Sequence, residues 1–249
     1  MSCCPPDSLP PLYTASAAAP TKIGSMDVFF YDNPASNNLV LVFPDVYGPD
    51  CGRTKENCVK LSAFYKVALV DLAPPYIVEL SEIPDWAKAR PIESLVPKIN
   101  DVVRHYQSAY KLDMIAAMGY CWGAWIVAKY SSVPSNVLVA GIGFHPAWRV
   151  EDLFHGRGSA AKIAKTILVP QLILPGGNDP SYLKSGQEAD KTLQARGIPA
   201  RVRDFPQVLH GWVNRGDLND PVVAEGFRAA WDDEALPFLR QYFAAQPRL

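Results

Sequence analysis

Short apolar runs alternate with amphipathic stretches along most of the chain. "NLVLVFP" at 38–44 is apolar almost throughout, the pattern of a strand covered on both faces. "DVFFY" at 27–31, "KVALVDL" at 66–72 and "MIAAMGY" at 114–120 read as further strands. So do "VLVAGIGF" at 137–144, "PQLILPGG" at 170–177 and "ARVRDFP" at 200–206. Between them, Ile92, Leu95, Val96, Ile99, Val102, Val103 and Tyr106 recur at helical spacing, which predicts a helix over 92–110 with one apolar face. Helices are also predicted at 54–64, 122–131, 181–196 and 221–243. Alternating strands and helices build βαβ units, so the fold class is α/β, with a mainly parallel central sheet and helices on both faces. The Pro-rich segment 71–91 is a long connection expected over the top of that sheet. Residues 1–25, rich in Pro, Ala and Ser, read as an irregular N-terminal extension, and 26–249 as one domain.

Composition narrows the function classes. The 249 residues carry 24 Lys+Arg against 25 Asp+Glu, a formal net charge of −1, which offers no general attraction to nucleic acid or anionic lipid. No apolar run reaches the ~18 residues of a membrane span, and the N-terminus lacks the basic and apolar regions of a signal peptide. Five cysteines, an odd number, argue against a disulfide framework and for a reducing, cytoplasmic setting. Cys3 and Cys4 are adjacent beside Pro5 and Pro6, and no neighbouring His or second Cys-x-x-Cys completes a metal site. They read as thiols on a flexible or loosely docked tail, with no metal or organic cofactor expected.

In a parallel sheet, chemistry collects at the carboxyl ends of the strands. Cys121 stands at such an end, within "GYCWG", where the strand at 114–120 meets the following helix. A sharp strand-to-helix turn crowds the residues on either side of its apex, and Gly119 and Gly123 carry no Cβ to clash. The pattern is that of a nucleophile elbow holding a thiol up to solvent or a pocket, beside the N–H groups of a helix start. A buried structural cysteine is the alternative.

An elbow nucleophile takes its partners in the chain order nucleophile, acid, histidine. "GGNDP" places Asp179 after one later strand, and "QVLHGW" places His210 after the next. His210 is the expected base for Cys121, and Asp179 the group that orients its imidazole. Each also has a structural reading: Asp179 as a helix N-cap, His210 as a loop histidine. His145, in "GFHPAW" at another strand end, is the alternative base and a candidate pocket residue. His105 and His155 read as helix-surface and loop residues. The backbone N–H groups of Trp122 and Val46 are the candidate oxyanion hole. Asp45, in "FPDVYGPD", would lie near the thiol or else serve as a turn residue ahead of Gly48.

"PDVYG", "GYCWG", "GGNDP" and "HGW" stand in the order and rough spacing of the dienelactone hydrolase family, which the chain resembles from Val28 to Phe243. The "SCCPP" start is similar to the eukaryotic and fungal-type branch. The resemblance implies a single-domain α/β-hydrolase fold, with Cys121, Asp179 and His210 as triad. It implies that Asp45, where the family commonly carries Glu, contacts the resting thiol. It also implies arginines for a substrate carboxylate. No arginine aligns by motif, and Arg90 and Arg149 are the candidates. Bulky Trp122 and Trp148 imply a pocket shaped differently from a dienelactone site.

The resulting expectation is a hydrolase of small esters or lactones, working through a thiol-acyl intermediate as a monomer or small homo-oligomer. Two rivals stand beside it: a non-catalytic binding protein on the same fold, and a polysaccharide-active hydrolase. The latter needs two carboxyl groups ~5–9 Å apart.

Overall fold

The computed structural model describes residues 4–5, 7–11 and 19–244. Its centre is an eight-stranded sheet of order β1-β2-β4-β3-β5-β6-β7-β8. The strands are β1 (Thr21–Ile23), β2 (Met26–Tyr31), β3 (Asn38–Phe43), β4 (Lys66–Asp71), β5 (Met114–Tyr120), β6 (Leu138–Phe144), β7 (Gln171–Leu174) and β8 (Ala200–Val202). β1–β2 and β2–β4 pair antiparallel, and every pairing from β4 through β3 to β8 is parallel. The carboxyl ends of β3, β5, β6 and β7 therefore share one edge.

The helices are α1 (Thr54–Ser62), α2 (Ile83–Lys88), α3 (Ile92–Ala109), α4 (Trp122–Tyr130), α5 (Glu151–His155), α6 (Ser159–Lys162), α7 (Glu188–Ala195), α8 (Trp212–Arg215), α9 (Pro221–Arg228) and α10 (Leu236–Ala244). β3 shows why its strand pattern is continuously apolar. Leu39, Leu41 and Phe43 point into a cluster shared with α3 and α4, through Leu95, Ile99, Trp125 and Ile126. Val40 and Val42 point the other way, into a cluster with Cys58 and Leu61 of α1 and Phe238 and Leu239 of α10. Successive side chains of a strand alternate faces, so a sheet covered on both sides needs an apolar residue at every position.

Several elements depart from expectation for local reasons. Thr21–Ile23, within the segment read as irregular, forms edge strand β1. The helix expected at 181–196 is a short 3₁₀ turn, Ser181–Leu183, followed by α7; Gly186 between them has φ +69°. The helix expected at 221–243 is continuous but passes through a π-helical turn at Ala229–Ala235. Pro237, at the start of α10, has no N–H to close an α-helical bond, which accounts for the widening. The connection 71–91 contains α2, with Pro84 in its first turn, where a missing N–H costs nothing. Among the described residues no helix is long and apolar enough to cross a membrane.

Candidate active site

The turn between β5 and α4 is closed too tightly for ordinary residues. A Cβ on Gly119 would lie 2.2 Å from the Gly123 carbonyl, and one on Gly123 would lie 2.1 Å from Phe43 O at the end of β3. Cys121 between them has φ +54° and ψ −112°, a conformation costly for a residue with a side chain. Neighbouring backbone holds it there. Cys121 N–H donates to Phe144 O (3.1 Å), and Ala147 N–H donates to Cys121 O (3.0 Å). The elbow is thus clamped between the carboxyl ends of β3 and β6.

Asp179 and His210 arrive on the loops after β7 and β8. His210 Nδ1 lies 2.6 Å from Asp179 Oδ1, with both side chains fully buried. Gly176 N–H donates to the other carboxylate oxygen (2.6 Å), and His210 N–H donates to Asn178 Oδ1 (2.7 Å), so acid and histidine share one hydrogen-bonded loop pair. Asp179 caps no helix: the 3₁₀ turn that follows receives no side-chain cap. With Nδ1 engaged, the other face of the imidazole is left for sulfur. Ligating atoms of Cys4, Cys121 and His210 all lie within 4.8 Å of one another. Burial opposes a charge on His210, but the Asp179 carboxylate and then the charge of Cys121 overcome it and hold its pKa at about 10.

Asp45 is fully buried and heavily bonded. Tyr47 N–H donates to its Oδ1 (2.9 Å), Asn214 Nδ2 donates to its Oδ2 (2.8 Å), and the Arg215 guanidinium pairs with the same oxygen. Burial works against the Arg215 charge, but Asp45, then Cys121, Cys51 and Cys4, raise its pKa above the ordinary arginine value. This permanent cation is therefore within electrostatic reach of the elbow sulfur. Sequence reading missed Arg215 and Asn214. Their signal was the run "HGWVNRG", which coils into α8 directly after His210.

His145 is buried beside the site, its ring centroid 4.8 Å from that of His210 and 5.4 Å from that of Trp212. Burial, then the charges of His210 and Arg215, push its pKa well below the ordinary histidine value, so it is a neutral ring. Trp122 is buried in the first turn of α4 and packs edge-on against Trp86 of α2 (4.9 Å between centroids). The Arg90 guanidinium lies over the Trp86 ring, 4.4 Å from its centroid, and donates to the carbonyls of Ala73, Trp86 and Pro75. Its guanidinium thus fastens the 73–90 connection. Val46 is buried on the loop after β3, and its carbonyl accepts from Ile77 N–H (3.2 Å). Arg149 is half-buried beside Trp148 in a 3₁₀ turn.

The N-terminal cysteines need correction. Cys3 lies outside the described residues, but Cys4 is no loose tail thiol. It is 1% exposed, with its sulfur 3.2 Å from that of Cys121. Cys121 is likewise enclosed rather than open to solvent. A cavity of about 610 Å³ lies at the opposite end of the sheet, lined by Met114, Leu138, Pro170 and Pro199 where the strands begin, far from this chemistry.

A parallel sheet with a strained elbow at the end of its middle strand defines an α/β-hydrolase. The sequence model of the dienelactone hydrolase family matches residues 26–243, and the chain belongs to that family. Among curated relatives, the hydrolase pyvD of Aspergillus violaceofuscus is 24% identical over 208 residues, covering 80% of each chain. The hydrolase tropI of Talaromyces stipitatus is 25% identical over 150 residues, 60% of this chain and 54% of its own. Among solved structures, a putative dienelactone hydrolase from Klebsiella pneumoniae superposes with a TM-score of 0.62 at 17% identity, over 89% of this chain and 100% of that one.

Proposed function

We propose that this member of the family hydrolyses small carboxylic esters or lactones, with Cys121 as nucleophile, His210 as acid and base, and Asp179 as its orienter. The observation that carries the reading is the buried 2.6 Å Asp179–His210 contact, which puts the free edge of the imidazole beside the Cys121 sulfur.

The Asp179 carboxylate raises the pKa of His210, which favours transfer of the Cys121 proton to the imidazole and so a thiolate nucleophile. The thiolate adds to the carbonyl carbon, and the N–H groups of Trp122 and Val46 receive the oxyanion. His210 gives its proton to the departing alkoxide and becomes a neutral base. It then takes a proton from water, the hydroxide cleaves the thioester, and the carboxylic acid leaves with the ion pair restored. A thiolate leaves more readily than an amine anion, so amides revert to substrate while activated esters and enol lactones go forward. The Asp45–Arg215 pair adds a fixed positive charge that favours anionic sulfur. The odd number of cysteines supports a reducing, cytoplasmic setting.

Cys121→Ala should lower turnover of a chromogenic short-chain ester by about 10³-fold or more. Unchanged turnover would remove the proposal. A non-catalytic binding protein would instead let a thiol-reactive acyl probe label Cys121 no faster than Cys51 or Cys58. Carbohydrate cleavage is disfavoured because the carboxyl groups of the site are already engaged, Asp179 by His210 and Asp45 by Arg215.

A further inference from the structure

Cys4 is 117 residues from Cys121 in the chain, yet the two sulfurs stop 3.2 Å apart. That is only about 1 Å beyond a covalent S–S bond. The contact is delivered by an N-terminal strap with its own attachments. Leu9 N–H donates to His210 O (3.2 Å), and Arg215 Nε donates to Leu9 O (3.1 Å). Within the strap, Ser8 N–H and Oγ both donate to Pro5 O (3.0 and 2.6 Å), fixing the turn that carries Cys4 inward. The strap is thus tied to the histidine loop and to α8, and its thiol stands against the sulfur that a substrate carbonyl would have to reach.

We propose that Cys4 and Cys121 form a peroxide-reactive dithiol, in which Cys4 resolves the oxidised nucleophile into a disulfide that fastens the strap over the site. The regulatory meaning of this modification rests on the hydrolase reading, while the cross-link itself does not. A Cys121 thiolate attacks one peroxide oxygen; the S–O bond forms, the O–O bond breaks, and hydroxide leaves with the electron pair. The Cys4 sulfur, losing its proton, then attacks the sulfenic sulfur; the S–S bond forms, the S–O bond breaks, and the second hydroxide departs as water. In sum, two thiols and one hydrogen peroxide give one disulfide and two waters. The Arg215 cation favours anionic sulfur at both positions. The same three donors, two sulfurs and one imidazole, could face a thiophilic dication. That buried guanidinium opposes a second positive charge there, which favours the redox reading. Peroxide is little larger than water, so a small displacement of the strap, held through Leu9 to His210 and Arg215 and through the Cys4–Cys121 sulfur contact itself, would admit it.

The test uses the reduced full-length protein, exposed to hydrogen peroxide and digested without reductant. The expected product is a cross-link between the Cys4 and Cys121 peptides, retained in Cys3→Ser, absent in Cys4→Ser and reversed by dithiothreitol. In Cys4→Ser, Cys121 should pass on to sulfinic and sulfonic acids, leaving about tenfold less recoverable thiol at that position. Equal over-oxidation of Cys121 in both proteins, or a cross-link that leaves Cys121 out, would overturn the proposal. So would one equivalent of zinc retained by the wild-type protein but not by Cys4→Ser, with no cross-link formed. A cross-link in a protein that hydrolyses no ester would leave this proposal standing and remove the hydrolase reading. Hydrolysis without the cross-link would do the reverse.

Discussion

The carboxylate of Asp179 lies 2.6 Å from Nδ1 of His210, with no solvent reaching either side chain. A buried carboxylate contact of this kind orients the imidazole and favours its protonated form. Asp179→Asn keeps the shape and the bond from Gly176 N–H within reach, but removes the charge. Steady-state kinetics on a short-chain ester should show kcat falling by about 10²–10⁴-fold with little change in KM. A decrease below tenfold would mean that another group supports His210.

The same contact predicts a pH dependence with a definite sign. The folded-state pKa of His210 rises from 6.5 to about 10, because Asp179 and Cys121 outweigh the opposing effect of burial. A raised pKa contributes its stability in full below the unfolded value, and loses it as pH climbs through the folded one. Urea unfolding should therefore show stability declining from near pH 6.5 to near pH 10, with a shallower decline in Asp179→Asn. Loss of the same proton should set the alkaline limb of kcat/KM.

Asp45 and Arg215 are both buried and paired to one another. Removing one partner leaves the other charged and unmatched, whereas removing both leaves a void without a charge. Arg215→Met should cost about 3–5 kcal/mol in urea unfolding, and adding Asp45→Asn should recover a measurable part. Strictly additive losses would show that the pair is not coupled.

The His145 and His210 rings lie 4.8 Å apart between centroids, and their environments separate them. His145 is held neutral by burial and by the neighbouring positive charges, and no carboxylate is bonded to its ring among the described contacts. His145→Gln should retain ester turnover within about tenfold, while His210→Gln should lose about 10³-fold. The opposite ranking would transfer the base to His145.

Much of this was legible in the chain itself. β5 runs over Met114–Tyr120 as read, and α4 begins directly after Cys121, because an apolar run, two glycines and a helix-forming segment are local signals. Asp179 and His210 were legible because each sits at the end of a recognisable strand pattern, in the order that parallel topology demands. Boundaries were less legible: Pro237 opens a π-turn that periodicity does not report, and Gly186 divides a helix that composition joined.

Sequence alone determined the class of fold, the elbow and the candidate triad, since these follow from period, turn chemistry and chain order. Only the tertiary structure decided what surrounds the sulfur. Arg215 reaches Asp45 across 170 residues, and Cys4 reaches Cys121 across 117. Neither meeting leaves a local pattern, because both depend on where the sheet places loops that are distant in the chain. The upward shift of the His210 pKa arises at the same level, because it depends on where the fold sets the Asp179 carboxylate and the Cys121 sulfur around the ring.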